Sequence, residues 1–446
     1  MSDLLAIGAS GVRAYQTALT TTSENIANAG TAGYVRRTTV MREVASAGSY
    51  GSGTLNGSGV IVDGVGRSSN PYTEAAVRNA GADLARTQAS SVWLQRIETA
   101  LGGGALTTQM TAFFGAATAL QGEPTSTALR AGMLSASASV ADSFGVTARS
   151  LDESMTELDS RAVQNVGELN RLNQAVLKVN QGLMTVVPGT SAAAALQDQR
   201  DQLLEQMSGL TDIDAQFDSF GRATVRAGGN SGPVLVDVRE ATNVGYARSN
   251  GNVALQVTRA DGSSQLMSPE GGALAGVAEG AQRIFSTRQE LGAIADKFTS
   301  TVNTLQRSGQ DLNGATGTDL FTVAAGDPTK FTVALSDGAK IAAAKTGGQR
   351  DASNLATLAG LRVSDDYEGR VQKLVTQNAA TLKQRNLVSD AQTAIHDGAL
   401  TARSELSGVN FDAEAIDLVR FQQAYQASSR VVQVARETFQ SILEIR

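Results

Sequence analysis

Leu5, Val12, Leu19 and Ile26 recur every seven residues, and Gly8, Tyr15 and Thr22 sit three places after the first three. This is the a/d spacing of a helix with one apolar seam. Asn28-Ala29-Gly30-Thr31-Ala32-Gly33 then supplies residues that stop a helix. The other end of the chain repeats the pattern. Phe411, Leu418, Tyr425, Val432 and Phe439 keep the seven-residue period. Phe421, Ala435 and Ile442 fill the offset positions, Ser428 leaves a polar gap, and Asn410 or Asp412 can cap the start. Each stripe is too narrow to stabilise a helix alone. The two ends therefore pair with each other, with neighbouring subunits, or both; two core helices of a globular bundle would show the same pattern.

Between the ends the pattern changes twice. Residues 48–59 are Gly- and Ser-rich and read as a linker. From about 84 to 209 the periodicity is mostly helical. Leu158, Val166, Leu169, Leu172, Val176, Val179 and Leu183 mark one long helix, Pro188-Gly189 breaks it, and helix resumes from Ala192 to Leu210. Residues 213–270 alternate instead. Thr224–Arg226, Val234–Val236 and Val253–Val257 read as strands, with hairpin turns at Ser249-Asn250-Gly251-Asn252 and Asp261-Gly262. Helix returns over about 279–307. A smaller β patch near 316–345 carries Phe321–Val323 and Phe331–Leu335, and helix dominates from about 366 onward.

The predicted fold class is mainly α with inserted β: a terminal coiled-coil-like helix pair, a helical bundle domain and a small outer β domain. The predicted division is 1–47 plus 401–446 for the inner terminal domain, 48–210 plus 271–400 for the helical domain, and 211–270 for the outer β domain. A chain of 446 residues is long enough for about two to four domains.

Composition narrows the function. Apolar residues make up 41% but aromatics only 4%, with Trp93 the single Trp. That suits small-residue helix seams better than an aromatic-lined ligand pocket. A net charge of −6 does not suit nucleic acid, and Arg36-Arg37 is too short for a basic patch. No stretch is apolar enough to insert in a membrane, and the start Met1-Ser2-Asp3-Leu4-Leu5 lacks the features of a cleaved leader. With no cysteine, thiol catalysis, disulfides and Cys-ligated zinc are excluded.

Candidate chemistry is sparse. His396 is the only histidine and lies on a polar helical stretch, Ala391 to Ala399, so it reads as a surface residue. There is no Gly-Lys dipeptide and no Gly-x-Ser-x-Gly elbow. The carboxylates Asp365, Asp366 and Glu368, and Asp212, Asp214 and Asp218, read as solvated loops rather than an acid–base pair. Asp198-Gln199-Arg200-Asp201 reads as a polar helix face with local ion pairs. The expectation is a non-enzyme with no metal and no cofactor.

Three segments resemble the flagellar axial family of rod, hook and hook-associated junction proteins. Ser23-Glu24-Asn25-Ile26-Ala27-Asn28-Ala29-Gly30-Thr31-Ala32-Gly33-Tyr34-Val35-Arg36 is similar to the family's N-terminal signature, with Asn25, Ile26, Asn28, Gly33 and Tyr34 matching and Ala32 standing where the family usually has Pro. Gly408-Val409-Asn410 and Phe421-Gln422-Gln423-Ala424-Tyr425-Gln426-Ala427-Ser428 are similar to its C-terminal signature. Leu196–Leu204 and Gln310-Asp311-Leu312-Asn313-Gly314 look like internal segments of the junction branch. Tyr34 and Ser428 suit that branch, where rod and hook proteins tend to carry Phe and Asn. The resemblance implies terminal helices lining a channel, export by the flagellar type III apparatus, and localisation at the hook–filament junction. It also implies self-assembly beside hook protein and a second junction protein or flagellin, and a cytoplasmic export chaperone on the C-terminal helix. The alternatives are another axial subunit, or a polysaccharide-binding module carried by the β domain.

Overall fold

The structure is a computed structural model that describes residues 2–44, 59–103 and 105–444. Most of the linker expected at 48–59 lies outside the described residues; Gly59 leads into a strand.

Helix α1 (Ser2–Asn28) ends in the expected turn, where Gly33 takes a left-handed φ of 74°. Strands β1 (Arg37–Glu43) and β2 (Val60–Arg67) then form an antiparallel hairpin with a bulge between Val40 and Met41. The sequence reading did not anticipate this hairpin.

The body is built on long helices with legible ends. Helix α2 (Pro71–Gly103) has proline at its first position, and the Asn70 side chain accepts from the Tyr72 amide at 2.9 Å. It begins some turns before the helical pattern expected from residue 84. Helix α3 (Leu106–Gly122) leads to α4 (Thr127–Thr185), which Ser126 caps. Thr190 caps α5 (Ser191–Leu210) after the expected Pro188-Gly189 break.

Strands β3 (Ile213–Phe217), β4 (Ala223–Ala227) and β5 (Val234–Val236) form one antiparallel sheet. Strands β6 (Asn243–Ser249), β7 (Asn252–Thr258) and β8 (Ser264–Met267) form a second. The two turns lie where Asn250 and Gly262 supply positive φ. Helix α6 (Gly272–Ser308) returns to the body, and the small pair β9 (Phe321–Val323) and β10 (Phe331–Val333) follows. Helix α7 (Ser353–Asp365) turns sharply at Asp366, φ 44°, into α8 (Tyr367–Ser407), and α9 (Phe411–Glu444) closes the chain. The fold is thus mainly α with inserted β, as the pattern predicted.

Two apolar cores hold the body together. The larger gathers Phe113, Phe114, Phe144, Phe298, Phe321, Phe331 and Tyr367, so the scarce aromatics are concentrated in one place. Phe113 meets Phe298 edge-on at 5.2 Å, and Phe321 meets Phe331 at 5.1 Å. The second core lies between helices and outer sheets: Val166, Leu169, Leu172 and Val176 of α4 and Leu204 and Met207 of α5 pack with Val225, Val236, Leu255 and Val257. The β region is therefore a layer that shares its core with the helices beneath it. Neither core includes any residue of α1, β1, β2 or α9 among the described residues.

Candidate assembly site: the terminal helix pair and its polar joint

Helices α1 and α9 pack along each other, and the hairpin covers part of α1. The residues of α1 that this packing buries are small or polar: Gly8, Gly11, Ala14, Ala18, Thr21, Thr22 and Asn25. A Cβ on Gly8 would stand 2.8 Å from Val432, and one on Gly11 would stand 2.7 Å from the Ser428 hydroxyl. Small side chains thus let the two backbones approach closely. Ser428, read from sequence as a polar gap, is the residue that Gly11 makes room for.

The a/d residues lie beside this contact rather than forming its centre. Val12, Leu19 and Ile26 of α1 and Leu418, Phe421, Tyr425 and Val432 of α9 are half-buried, and the Tyr15 and Phe421 rings sit 6.4 Å apart. Leu5, Phe411, Phe439 and Ile442 stand exposed, Phe411 by 58%. Ile416, Val419 and Val434 add to the uncovered apolar surface of α9. Two helices of these compositions do not bury a full a/d seam between themselves, and much apolar surface of α9 is left facing solvent.

Below the pair lies a buried polar joint. Asn25 is its centre, with all of its side-chain capacity used. Its Nδ2 donates to the Arg37 carbonyl at 2.8 Å and to Glu414 Oε2 at 2.9 Å. Its Oδ1 accepts from the Tyr34 hydroxyl and from the Arg37 amide, each at 2.9 Å. Burial pushes the Tyr34 hydroxyl up to about 12, against the Arg37 guanidinium that lies 4.8 Å over its ring. Buried Glu414 also accepts from Arg36 Nε at 2.6 Å. The signature residues Asn25, Tyr34 and Asn410 therefore have a local purpose, since Asn410 Oδ1 caps α9 by accepting from the Asp412 and Ala413 amides. Asn28 ties back to the Glu24 carbonyl at 2.9 Å, Gly408 donates to the Ser404 carbonyl at 2.8 Å, and Val409 is half-buried beside it. Gln422 and Gln423 point to solvent.

The joint continues into the body through α5. Arg37 pairs with Glu24 at 3.2 Å and with Asp198 at 3.2 Å, while Arg67 pairs with Asp198 at 2.8 Å and Asp201 at 2.7 Å. Asp198 and Arg200 are buried. The reading of Asp198-Gln199-Arg200-Asp201 holds in part: Arg200 pairs locally with Asp201 at 2.6 Å, but the stretch is not merely a polar face, since Asp198 and Asp201 also take Arg37 and Arg67 of the hairpin, more than a hundred residues away in sequence. Arg36-Arg37, too short to be a basic patch, works as two buried-joint cations. Arg403 of α8 bridges Glu205 at 2.7 Å and Glu74 at 3.4 Å at the edge of the joint, around a cavity of about 300 Å³. Burial pushes the Glu74 and Asp198 carboxyls up, with Arg403 and Arg67 respectively pulling them back.

The remaining candidates do not converge. His396 lies half-buried on α8 near Gly81, 3.9 Å from Asp397. Asp218 folds back on Arg222, Asp212 accepts from the Glu270 amide, and Glu368 pairs with Arg362. A cleft of about 850 Å³ between α4 and α6 is lined by Arg248 and Arg288, each already paired, with Asp159 at 2.7 Å and Asp327 at 2.8 Å. Among the described residues no group of three or more acidic or His side chains could hold a metal ion, and no helix is long and apolar enough to cross a membrane.

Fold and joint together define a mainly helical protein with paired ends and a β layer packed on its helices. The family model described as "Flagellar hook-associated protein FlgK helical domain" matches residues 94–321, and that of the flagellar basal body rod FlgEFG protein C-terminal region matches residues 400–445. The chain belongs to the FlgK family of flagellar hook-associated proteins. It is 27% identical to flagellar hook-associated protein 1 of Escherichia coli over 72% of this chain and 60% of that protein. It is 24% identical to the protein of the same name from Bacillus subtilis over 96% of this chain and 95% of that one. The chain thus spans 60% of the enteric relative's length. The solved flagellar hook junction protein FlgK from Burkholderia pseudomallei shares the fold, with a TM-score of 0.50 at 18% identity over 56% of this chain and 47% of that structure.

Proposed function

We propose that this chain is a structural subunit of the bacterial flagellum that joins hook to filament. The observation that carries the reading is the uncovered apolar surface of α9: Phe411, Phe439 and Ile442 toward the ends of the face that meets α1, and Ile416, Val419 and Val434 away from it, all exposed on a helix pair that lies outside both cores. A monomer gains nothing from such exposed apolar surface, whereas a ring or helical layer of copies covers it many times over. Leu5, Val12, Leu19, Ile26, Leu418, Phe421, Tyr425 and Val432 complete the assembly seam, some within the pair and some toward its neighbours.

On this reading the chain leaves the cell through the flagellar type III apparatus. Its neighbours are hook protein and a second junction protein or flagellin, and a cytoplasmic chaperone holds the exposed C-terminal helix before export. Its role is mechanical and needs no catalysis, metal or cofactor. The relatives named above and the match of residues 94–321 favour the junction over a hook or rod subunit.

Electron microscopy of cells lacking the chain tests the reading. They should carry bare hooks and shed flagellin into the medium, and restoring the chain should restore filaments. Filaments of normal length in the deletion strain would rule it out.

A further inference from the structure

The terminal helix pair meets the body at the polar joint described above. Neither core reaches α1, the hairpin or α9 among the described residues, so what sets the pair's direction is the polar joint. Its connections run in an unbroken chain. Glu414 on α9 is held by Asn25 of α1 and by Arg36; Arg37 joins Glu24 to Asp198; Arg67 joins Asp198 to Asp201. Asp201 also takes Arg200 Nε at 2.9 Å. Arg200 in turn donates to the Gly221 carbonyl in the β3–β4 turn and lies 4.0 Å over the Phe217 ring. Gln202 reaches the other way and donates to the Ala32 carbonyl at 2.6 Å, in the turn after α1. One and a half turns of α5 thus touch both the terminal pair and the outer sheet.

We propose that the α5 segment from Asp198 to Gln202 is a releasable coupling that fixes the angle of the terminal helix pair on the body and links that angle to the position of the β3–β4 turn. Ion pairs of this kind suit such a device. They are directional, because guanidinium and carboxylate must meet in plane, yet once desolvation is counted they add little net attraction. They specify one arrangement while leaving undocking cheap. An apolar joint of the same size would hold the pair by area and tolerate sliding. Arg37 Nε, buried and without a partner among the described residues, marks a cation held more for placement than for maximal bonding.

The test uses the monomer before any assembly, so it is independent of the junction reading. The chain has no native cysteine, so Asp83→Cys on α2 and Gln426→Cys on α9, both exposed, place two spin labels across the joint. Pulsed dipolar spectroscopy should give one narrow distance in the otherwise unaltered protein. Asp198→Ala should lose that peak to a broad distribution while the body still melts in one cooperative transition, at a lowered temperature. Arg67→Gln, which keeps the Arg37–Asp198 pair, serves where Asp198→Ala does not fold and should also broaden the peak. Arg96→Ala, which breaks the exposed pair with Glu157, should leave it unchanged. A narrow peak retained in both joint variants, or a broad one in the starting protein, overturns the proposal.

Discussion

Gly8 of α1 lies against Val432 of α9 so closely that an added methyl would sit 2.8 Å from Val432 Cγ2 and 3.3 Å from its backbone nitrogen. The contact between the chain ends is therefore set by the absence of a side chain. Gly8→Leu should force the helices apart and cost about 1–3 kcal/mol of pairing, read as faster hydrogen exchange in α1. Gly102→Ala, where a Cβ meets nothing within 4 Å, should leave that exchange unchanged.

Val432→Asp tests the same contact from the other side. A carboxylate placed half-buried beside α1 without a partner costs on the order of 3 kcal/mol. The body core contains no α9 residue, so calorimetry should show its main transition unmoved. Electron microscopy should show a secreted protein that caps no hooks.

The joint should respond to single and double charge removal in a characteristic way. Asp198→Leu leaves Arg37 and Arg67 buried without their shared carboxylate and should destabilise by about 3–5 kcal/mol. Adding Arg67→Met should recover part of that loss, because a buried ion pair replaced by apolar groups is far less costly than one half removed. A denaturation cycle over the four proteins measures the coupling; strict additivity would mean the two side chains do not act together.

How legible was all this in the sequence? That both ends are long helices was, because of their seven-residue period; which partner each helix takes was not, since the same period suits pairing with each other, with neighbours or within a globular bundle. Legible too were the β4, β5 and β7 strands and the Asn250 and Gly262 turns, where local alternation and turn chemistry agree. The β1–β2 hairpin was not: Arg37-Thr38-Thr39-Val40-Met41-Arg42-Glu43 is mostly polar, and its partner follows a Gly- and Ser-rich stretch rather than a tight turn. The small-residue contact was hidden because pattern reading weights Leu and Val, while Gly8, Gly11 and Ala14 matter by being small. The joint was least visible. Glu414 and Asn25 are 389 residues apart, and no local pattern links them.

Removal of the outer sheets is a further test. Asp212 N donates to the Gly271 carbonyl at 3.3 Å, so the β layer enters and leaves at one point. A short Gly/Ser link from Leu210 to Leu274 should therefore preserve the helical body and the terminal pair. It would uncover Leu169, Leu172 and Val176, so the shortened protein should melt lower and self-associate, as light scattering would show. Polar replacements at those three positions should restore a monomer that still supports filament growth.

Acid should act through Asp327. Burial works to raise its carboxyl, but Thr329 and Arg288 outweigh it and bring it down to about 2. A depressed carboxylate contributes stability above its unfolded value of 3.8 and loses it as pH falls toward about 2. Arg288→Ala should shift the Asp327 titration upward toward the ordinary carboxylate range, as carbonyl NMR would record, and reduce the acid sensitivity of the melt.

Helix α4 runs unbroken for 59 residues, roughly 90 Å at helical rise. Val140, Phe144, Leu151 and Leu158 serve the aromatic core, and Val166, Leu169, Leu172 and Val176 serve the core under the sheets. One rod therefore belongs to both halves of the body, and there is no loop between them to act as an elbow. Under a bending load the body deflects as a single beam, and the compliance of the molecule is left to the polar contacts that hold the terminal pair.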